Sequence, residues 1–316
     1  MDSLSTQNDV LAARAGRLYM RQRLGIEADK EAQVFGQGAN FFHIENWDSS
    51  HPVIRWLLQL ALLYRRGQRN ALDIEIRRND VPIDGLPSAF DGYTLLHLSD
   101  LHLDMHTDHP AALAARLREV DYDAVAITGD FRAKTFGDFR PALEAMERVR
   151  LHLKEPIYAV LGNHDSLHMV LPLEAMGIRV LLNESLPLRR GEDEIYLAGV
   201  DDPHYFRTDN LEKASEMIPE GAPSILLAHT PEIYKQAASA GFTLMLSGHT
   251  HGGQICLPGG YPIMVNANCP RRFCRGAWKH GSLTGYTSVG SGVSIVDVRL
   301  NCRPEITLHR LRSGPA

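Results

Sequence analysis

Cysteine is scarce in this chain. Four residues in 316, unevenly spaced at Cys256, Cys269, Cys274 and Cys302, exclude the disulfide framework that holds small secreted domains together. Cys269 and Cys274 fit no common zinc spacing, which leaves free thiols in a reducing compartment as the expectation. Long apolar runs are missing too. The longest, residues 53–64, is broken by Arg55 and Gln59 and falls short of the ~20 residues that a spanning helix needs. Residues 1–50 hold no apolar core of a signal peptide, so a cytoplasmic protein is expected. Basic charge is not in excess: 33 Lys and Arg against 38 Asp and Glu leave a net charge of −5. That balance argues against nucleic acid as a partner, because phosphate-backbone binding needs a basic stripe. The glycine-rich stretches lack the Lys-Ser/Thr of a nucleotide-binding loop, and no internal repeat is present.

What remains is a chain long enough for one large α/β domain with an appendage. Residues 1–70 differ in texture from the rest. Asp9 is placed to cap a helix running towards Arg23. Residues 35–47 mix glycine with Phe35, Phe41, Phe42 and Trp47 and read as a structured loop. Residues 53–64 carry Trp56 and are followed by Arg65, Arg66 and Arg69. Peripheral contact with the inner membrane face through 53–69 fits this pattern, and so does an amphipathic helix packed on its own domain. From Ala71 the period shortens: Leu72, Ile74 and Ile76 alternate with polar residues, as in a half-buried strand. The division is therefore a helical and loop extension over 1–70 and a main domain over 71–316.

Within that domain, five apolar runs each end in residues able to bind metal. Residues 94–99 lead into Asp100 and His102; 124–128 into Gly129-Asp130; 157–161 into Gly162-Asn163-His164-Asp165. Residues 224–228 lead into His229, and 242–247 into Gly248-His249-Thr250-His251. Helical patterns over 110–120, 141–153, 211–218 and 231–240 separate them, three with an early proline. Ligands gather at the carboxyl ends of strands in α/β sheets, so the five ends are expected to converge. The tail segments 287–289, 293–298 and 305–311 are strand-like and suggest a second sheet packed on the first. The fold class is α/β, a layered α/β/β/α sandwich of two mixed sheets with an N-terminal helical extension.

Asp100 and His102 sit two apart, as do His249 and His251, so each pair projects from one face. Aspartate oxygens with imidazoles suit zinc, iron or manganese. The glycine before Asp130 lets the backbone turn sharply there. Asn163 offers a neutral carbonyl oxygen and His229 another imidazole.

Ser99-Asp100-Leu101-His102, Gly129-Asp130, Gly162-Asn163-His164-Asp165, His229 and Gly248-His249-Thr250-His251 together resemble the calcineurin-like metallophosphoesterases. The resemblance spans roughly residues 71–311. It implies two divalent ions. Asp100, His102, Asp130 and His251 would hold one, and Asp130, Asn163, His229 and His249 the other, with Asp130 bridging. It implies attack on a phosphoester or pyrophosphate by metal-bound hydroxide. His164 would assist the leaving oxygen and Asp165 would orient His164. His251-Gly252-Gly253-Gln254, Leu197-Ala198-Gly199-Val200-Asp201-Asp202 and Arg303-Pro304-Glu305-Ile306 are similar to a bacterial branch of phosphodiesterases. That branch includes a pyrophosphatase acting on UDP-2,3-diacylglucosamine, which implies a lipid-linked substrate; a soluble phosphorylated small molecule is the alternative. An interaction scaffold that has lost its ligands is disfavoured because no ligand is missing.

Around this set lie residues with two readings. His106 and His109, on a loop with Asp108, are placed either to touch substrate or to face solvent. His204 and Arg271 are equally divided. His97, inside its strand, reads as a buried hydrogen-bonded residue, and Gly290-Ser291-Gly292 as a turn near the site.

Overall fold

The structure, a computed structural model, describes residues 2–36 and 50–314. Strands that are apolar at every position need cover on both faces, and here two sheets and two helical layers supply it. The first sheet comprises β1 (Glu75–Ile83), β2 (Thr94–Leu98), β3 (Ala124–Ile127), β4 (Ile157–Ala159), β5 (Ile178–Val180) and β14 (Glu305–Ser313), in the order β1-β14-β2-β3-β4-β5. The second comprises β6 (Glu184–Arg190), β7 (Asp193–Gly199), β8 (Ser224–Leu227), β9 (Leu244–Ser247), β12 (Gly276–His280) and β13 (Leu283–Thr287), in the order β12-β13-β9-β8-β7-β6. Strands β2 to β5 run parallel, as do β7, β8, β9 and β13. A short hairpin, β10 (Cys256–Leu257) with β11 (Tyr261–Pro262), stands apart.

Alternation along each strand divides the core. Leu95, Ala124, Ala126 and Val160 of the first sheet meet Ile225, Leu227, Leu244 and Leu246 of the second. Leu96, Leu98, Val125 and Ile127 face outward, beneath α5 (His109–Leu117), α6 (Arg140–Arg150) and α7 (Val170–Ala175). Leu226 and Met245 face the other way, towards α8 (Leu211–Ser215) and α9 (Tyr234–Ser239). The result is the expected α/β/β/α sandwich.

The N-terminal residues form α1 (Asp2–Ala15), α2 (Arg17–Gly36), α3 (Ser50–Leu60) and α4 (Tyr64–Leu72). Leu11, Ala15 and Met20 join the outer core of the first sheet. Gly67 and Ala71 of α4 are buried, and the approach of Gly67 to Val298 leaves no room for a side chain.

Several expectations need correction. Asp9 lies inside α1 and caps nothing; the helical run breaks instead at Gly16, whose φ is +103°. Residues 53–64 are split by Leu62, at φ 56°, into the end of α3 and the start of α4. Phe41, Phe42 and Trp47 lie outside the described residues. Of the three tail segments only the first touches the second sheet, through Thr287 at the end of β13, whereas β14 inserts between β1 and β2 of the first. Residues 293–298 form no strand, because the Gln254 side chain takes the hydrogen bonds a neighbouring strand would. Its amide donates to the carbonyls of Ser294 (2.8 Å) and Val296 (3.0 Å), and its oxygen accepts from Ser294 N–H (2.8 Å).

Candidate metal centre

The five ligand-bearing ends do not come from one sheet. β2, β3 and β4 belong to the first and β8 and β9 to the second, and their carboxyl ends meet at one edge of the sandwich. Each loop there turns sharply. Asp100, His102, Asp130, His249 and His251 all have positive φ, at 51°, 40°, 59°, 69° and 49°. The left-handed region costs an L-residue roughly 1–2 kcal/mol, so such a concentration persists only where the surroundings fix it. Asp100 N–H donates to Gly129 O and His102 N–H to Asp130 O, both at 3.0 Å. His249 N–H donates to the Asp100 carboxylate at 3.0 and 3.1 Å. At Gly248 a Cβ would collide with Ser99 Oγ and the Asp100 carboxylate, and at Gly162 with the Asp130 carboxylate. Both glycines are required by closeness.

Two buried groups result. Asp100, His102 and His251 form one, and Asp130, His229 and His249 the other, with donor atoms within 4.8 Å of one another in each. His102 Nε2 lies 3.1 Å from His251 Nε2, which is 3.5 Å from Asp100 Oδ1. In the second group His229 Nε2 is 3.3 Å from Asp130 Oδ2 and 2.9 Å from Asn163 Oδ1. Asp130 Oδ2 is also 3.6 Å from His102 Nε2, so this carboxylate faces both groups.

These residues fit divalent cations. Buried His249 Nε2 has no hydrogen-bond partner, a costly condition for a polar atom that an ion would relieve. His102 Nδ1 and His229 Nδ1 sit 2.8 and 2.7 Å from the carbonyls of Arg132 and Thr128. A carbonyl can only accept, so Nδ1 donates to it and Nε2 is the ring atom left to face the centre. Mixed oxygen and imidazole donors suit zinc, iron or manganese.

Burial and neighbouring charge act against each other here. Burial works to raise the Asp130 carboxyl, but His229, His164 and His102 together take it well below the usual carboxylate range. Burial raises Asp100 against the pull of His229 and His102. Burial opposes protonation of His229, yet Asp130 and Asp100 push its pKa well above the ordinary imidazole value. His249 and His251 are driven well below it by burial. Two ions would bring four positive charges against the two of Asp100 and Asp130, leaving the centre electropositive.

His164 lies beside Asp130 and His102. Its N–H donates to Asp130 Oδ1 (2.9 Å), its Nε2 is 3.9 Å from Asp130 Oδ2, and its Nδ1 is 3.3 Å from Thr135 Oγ1. Burial lowers its pKa to about 3, with Asp130 opposing, which leaves the ring neutral. Asp165 does not orient it. Both Asp165 oxygens accept backbone N–H groups, of Asp130 (2.8 Å), Phe131 (2.9 Å) and Gly162 (2.9 Å). That carboxylate ties the β3 and β4 loops together.

The peripheral residues separate. His204 stands beside the second group, its ring centroid 4.3 Å from that of His249 and its Nδ1 3.0 Å from Glu232 Oε1. His106 is half-buried in the loop after His102, accepting from Asp108 N–H at 3.2 Å. His109 is not on an open loop: it begins α5, is 2% exposed, and faces the Leu101 backbone without a well-formed hydrogen bond. Arg271 is exposed and bonds Tyr261 Oη at 2.5 Å.

Other contributors escape a reading by spacing. Ser99 Oγ–H donates to Asp100 Oδ2 (2.6 Å), Thr128 Oγ1–H to Ser99 Oγ (2.7 Å), and His97 Nε2 lies 2.9 Å from Thr128 Oγ1. His97 Nδ1 meets His309 Nε2 at 3.2 Å, and His309 Nδ1 meets Asn79 Nδ2 at 3.1 Å. Because Asp100 can only accept, the hydroxyls donate in order towards it, and neutral histidines continue the sequence. Fully buried Arg299 reaches the carbonyls of Val289 (2.6 Å), Gly292 (2.7 Å) and His251 (3.3 Å) and lies 3.2 Å from His251 Nδ1. Ser99 and Thr128 adjoin recognised motifs; Arg299 had no signal.

Comparison with known proteins agrees with this geometry. The calcineurin-like phosphoesterase family profile matches residues 93–253. The metallophosphoesterase YkoQ of Bacillus subtilis (strain 168) is 30% identical over 273 residues, covering 81% of this chain and 98% of YkoQ. The phosphodiesterase YaeI of Escherichia coli (strain K12) is 30% identical over 235 residues, 69% of this chain and 82% of YaeI. A transmembrane protein with metallophosphoesterase domain from Danio rerio is 31% identical over 247 residues, 72% of this chain. The chain spans about half of that relative, 55% of its length. The chain belongs to the calcineurin-like phosphoesterase family, metal-dependent enzymes that hydrolyse phosphoester bonds.

Proposed function

We propose that the chain hydrolyses a phosphodiester or pyrophosphate bond at a two-cation centre, on a substrate carried by a lipid surface. The observation behind the chemistry is the pair of buried donor groups meeting at Asp130, with His164 beside that carboxylate. Asp100, His102, Asp130 and His251 hold one ion; Asp130, Asn163, His229 and His249 hold the other. When bound, such a pair polarises phosphoryl oxygens and acidifies a water towards a pKa of ~7. Neutral His164 donates a hydrogen bond to the leaving oxygen. His204, beside the second group, and exposed Arg271 contact the remainder of the substrate.

Two apolar surfaces beside the site support the lipid reading. On α3, Val53, Trp56, Leu57 and Leu60 are each more than half exposed, and exposed Arg65, Arg66 and Arg69 follow. This combination suits an anionic bilayer. A cavity of ≈ 500 Å³ separates α3, at Arg55 and Trp56, from Met105 and Lys134 of the site loops. The β10–β11 hairpin packs against Gly253, and Leu257 and Tyr261 on it, with Ile263 and Met264 just after it, are exposed. Among the described residues no helix is long and apolar enough to cross a membrane, so the contact proposed is peripheral.

Likeness to the phosphodiesterase YaeI favours a second reading, in which the substrate is a small phosphodiester free in solution. Hydrolysis of UDP-2,3-diacylglucosamine in mixed micelles, set against a panel of nucleotide diesters, separates the two. Turnover of the lipid alone, with co-sedimentation of the chain on anionic vesicles, supports the first. Turnover of the soluble diesters without vesicle binding overturns it.

A further inference from the structure

The family profile begins at residue 93, yet one face of α2 reaches the loop that carries His164. Tyr19, Arg23, Glu27 and Lys30 follow one another at spacings of four, four and three, and so share a side of the helix. All four are engaged. Arg23 is 0% exposed. Its Nη2 donates to the backbone carbonyl of Asp165 at 3.0 Å and its Nε to Asp201 Oδ2 at 3.0 Å. Its guanidinium also lies 3.3 Å above the centre of the Phe206 ring. Glu27 pairs with Arg23 and accepts from Leu167 N–H (2.9 Å) and Ser166 Oγ–H (2.8 Å). Tyr19 Oη donates to Asp201 Oδ2 at 2.7 Å, and Lys30 Nζ stands 3.5 Å over the Tyr205 ring.

The two segments gripped in this way belong to different sheets. Asp165, Ser166 and Leu167 follow β4 of the first, whereas Asp201, Tyr205 and Phe206 follow β7 of the second. The first segment bears His164 and the second His204, so α2 spans the two sides of the centre. Arginine suits the position: its planar fork donates in several fixed directions at once, which the single ammonium of lysine cannot reproduce.

We propose that Arg23 is a positioning residue for His164, acting through the Asp165 carbonyl, and that α2 is thereby part of the catalytic apparatus. This rests on the reading of His164 as donor to the leaving oxygen. Neither Arg23 nor Glu27 is among the metal-ligand candidates, and Arg23 meets the loop at Asp165, beyond both Asn163 and His164, so its loss should affect the departure of the leaving group more than the holding of the ions.

The test uses the full chain loaded with Mn²⁺ and a series of aryl phosphodiesters whose leaving phenols run from strongly to weakly acidic. Wild type, His164→Ala, Arg23→Lys, and Arg23→Met paired with Asp201→Asn are compared. The paired variant removes both buried charges together and keeps the test open if Arg23→Lys does not fold. Misplacement of a reacting group by about 1 Å costs on the order of 100-fold in rate. The Arg23 variants are therefore expected to lose about 10- to 100-fold in kcat for the least acidic phenol. The loss should be much smaller for p-nitrophenol, with KM and metal content unchanged, and His164→Ala should show the same dependence on leaving group. If His164→Ala shows that dependence and folded Arg23 variants match wild type, the positioning role is overturned and the proposed function stands. An equal loss across the series in the Arg23 variants, or a loss that follows metal content, also overturns it by marking a general structural effect. If His164→Ala itself loses rate equally for every phenol, the underlying reading of His164 fails, and the positioning proposal with it.

Discussion

Asp130 is the residue on which the centre turns, because one carboxylate faces both donor groups. Asp130→Asn keeps the shape and removes the charge. Changing groups that merely support metal ligands costs 10- to 100-fold in affinity, so this substitution is expected to cost more than about 100-fold in turnover. Its metal content, read by elemental analysis, should fall below one ion per chain; full content with full activity would contradict the bridging role. Ser99 tests the hydrogen bonds behind Asp100. Ser99→Ala removes the 2.6 Å donor, and calorimetric titration with Mn²⁺ should show affinity about 10-fold weaker, whereas an unchanged Kd would assign the hydroxyl to packing alone. Three imidazoles that are not metal-ligand candidates contribute to acid stability. Burial takes His97 and His109 down to about 3 and His309 well below its ordinary value. The unfolded chain binds these protons near pH 6.5 and the folded chain does not. Stability is therefore complete above about 6.5 and falls as pH drops towards 3, by about 1.4 kcal/mol per pH unit for each group. His109→Leu should flatten the decline in urea midpoint between pH 6.5 and 5 by one group's share; an unaltered slope would mean that His109 does titrate in the folded state.

At the scale of elements, the sequence was most legible where chemistry and periodicity coincide. The five strand ends and seven ligand candidates were visible because an apolar run followed by Asp, Asn or His is an uncommon juxtaposition. The allocation of those runs to two sheets was not visible, since a strand buried on both faces looks alike in either sheet. β14 enters the first sheet beside β2 after some 200 residues of intervening chain, a pairing that no local pattern encodes. Residues 293–298 were misread for a related reason. Val293, Val296 and Val298 have strand composition, but the Gln254 side chain supplies the hydrogen bonds that a strand would. Asp165 was misassigned because adjacency to His164 suggested contact, whereas the turn directs its carboxylate to three backbone N–H groups. Arg23 and Arg299 gave no signal, being ordinary surface residues until the fold buries them. The amphipathic character of α3 was legible, and its apolar side is exposed. Replacing Trp56 and Leu60 together with serine should abolish co-sedimentation with anionic vesicles while leaving hydrolysis of a soluble diester within about twofold, because ~1.5–3 kcal/mol of burial per large side chain is lost only at the membrane. Retained vesicle binding would remove α3 from the interface.

Taken as a whole, the molecule is two sheets closed around a shared apolar interior, with the acidic and imidazole side chains concentrated where the sheets' carboxyl ends meet. That arrangement costs backbone strain at five residues and the burial of several polar atoms, and bound cations offset part of the cost. Ion binding to the folded chain alone contributes about 2.7 kcal/mol at a concentration of 100 times Kd. Tm should therefore rise on titration with Mn²⁺ and fall again on chelation. The measurement that bears most directly on the central claim is metal content by elemental analysis, made on the same sample as hydrolysis of bis-p-nitrophenyl phosphate before and after chelation. Close to two ions per chain, with turnover lost on chelation and restored by Mn²⁺, is the predicted result. A folded chain that binds no metal and turns over nothing would contradict the account of the centre.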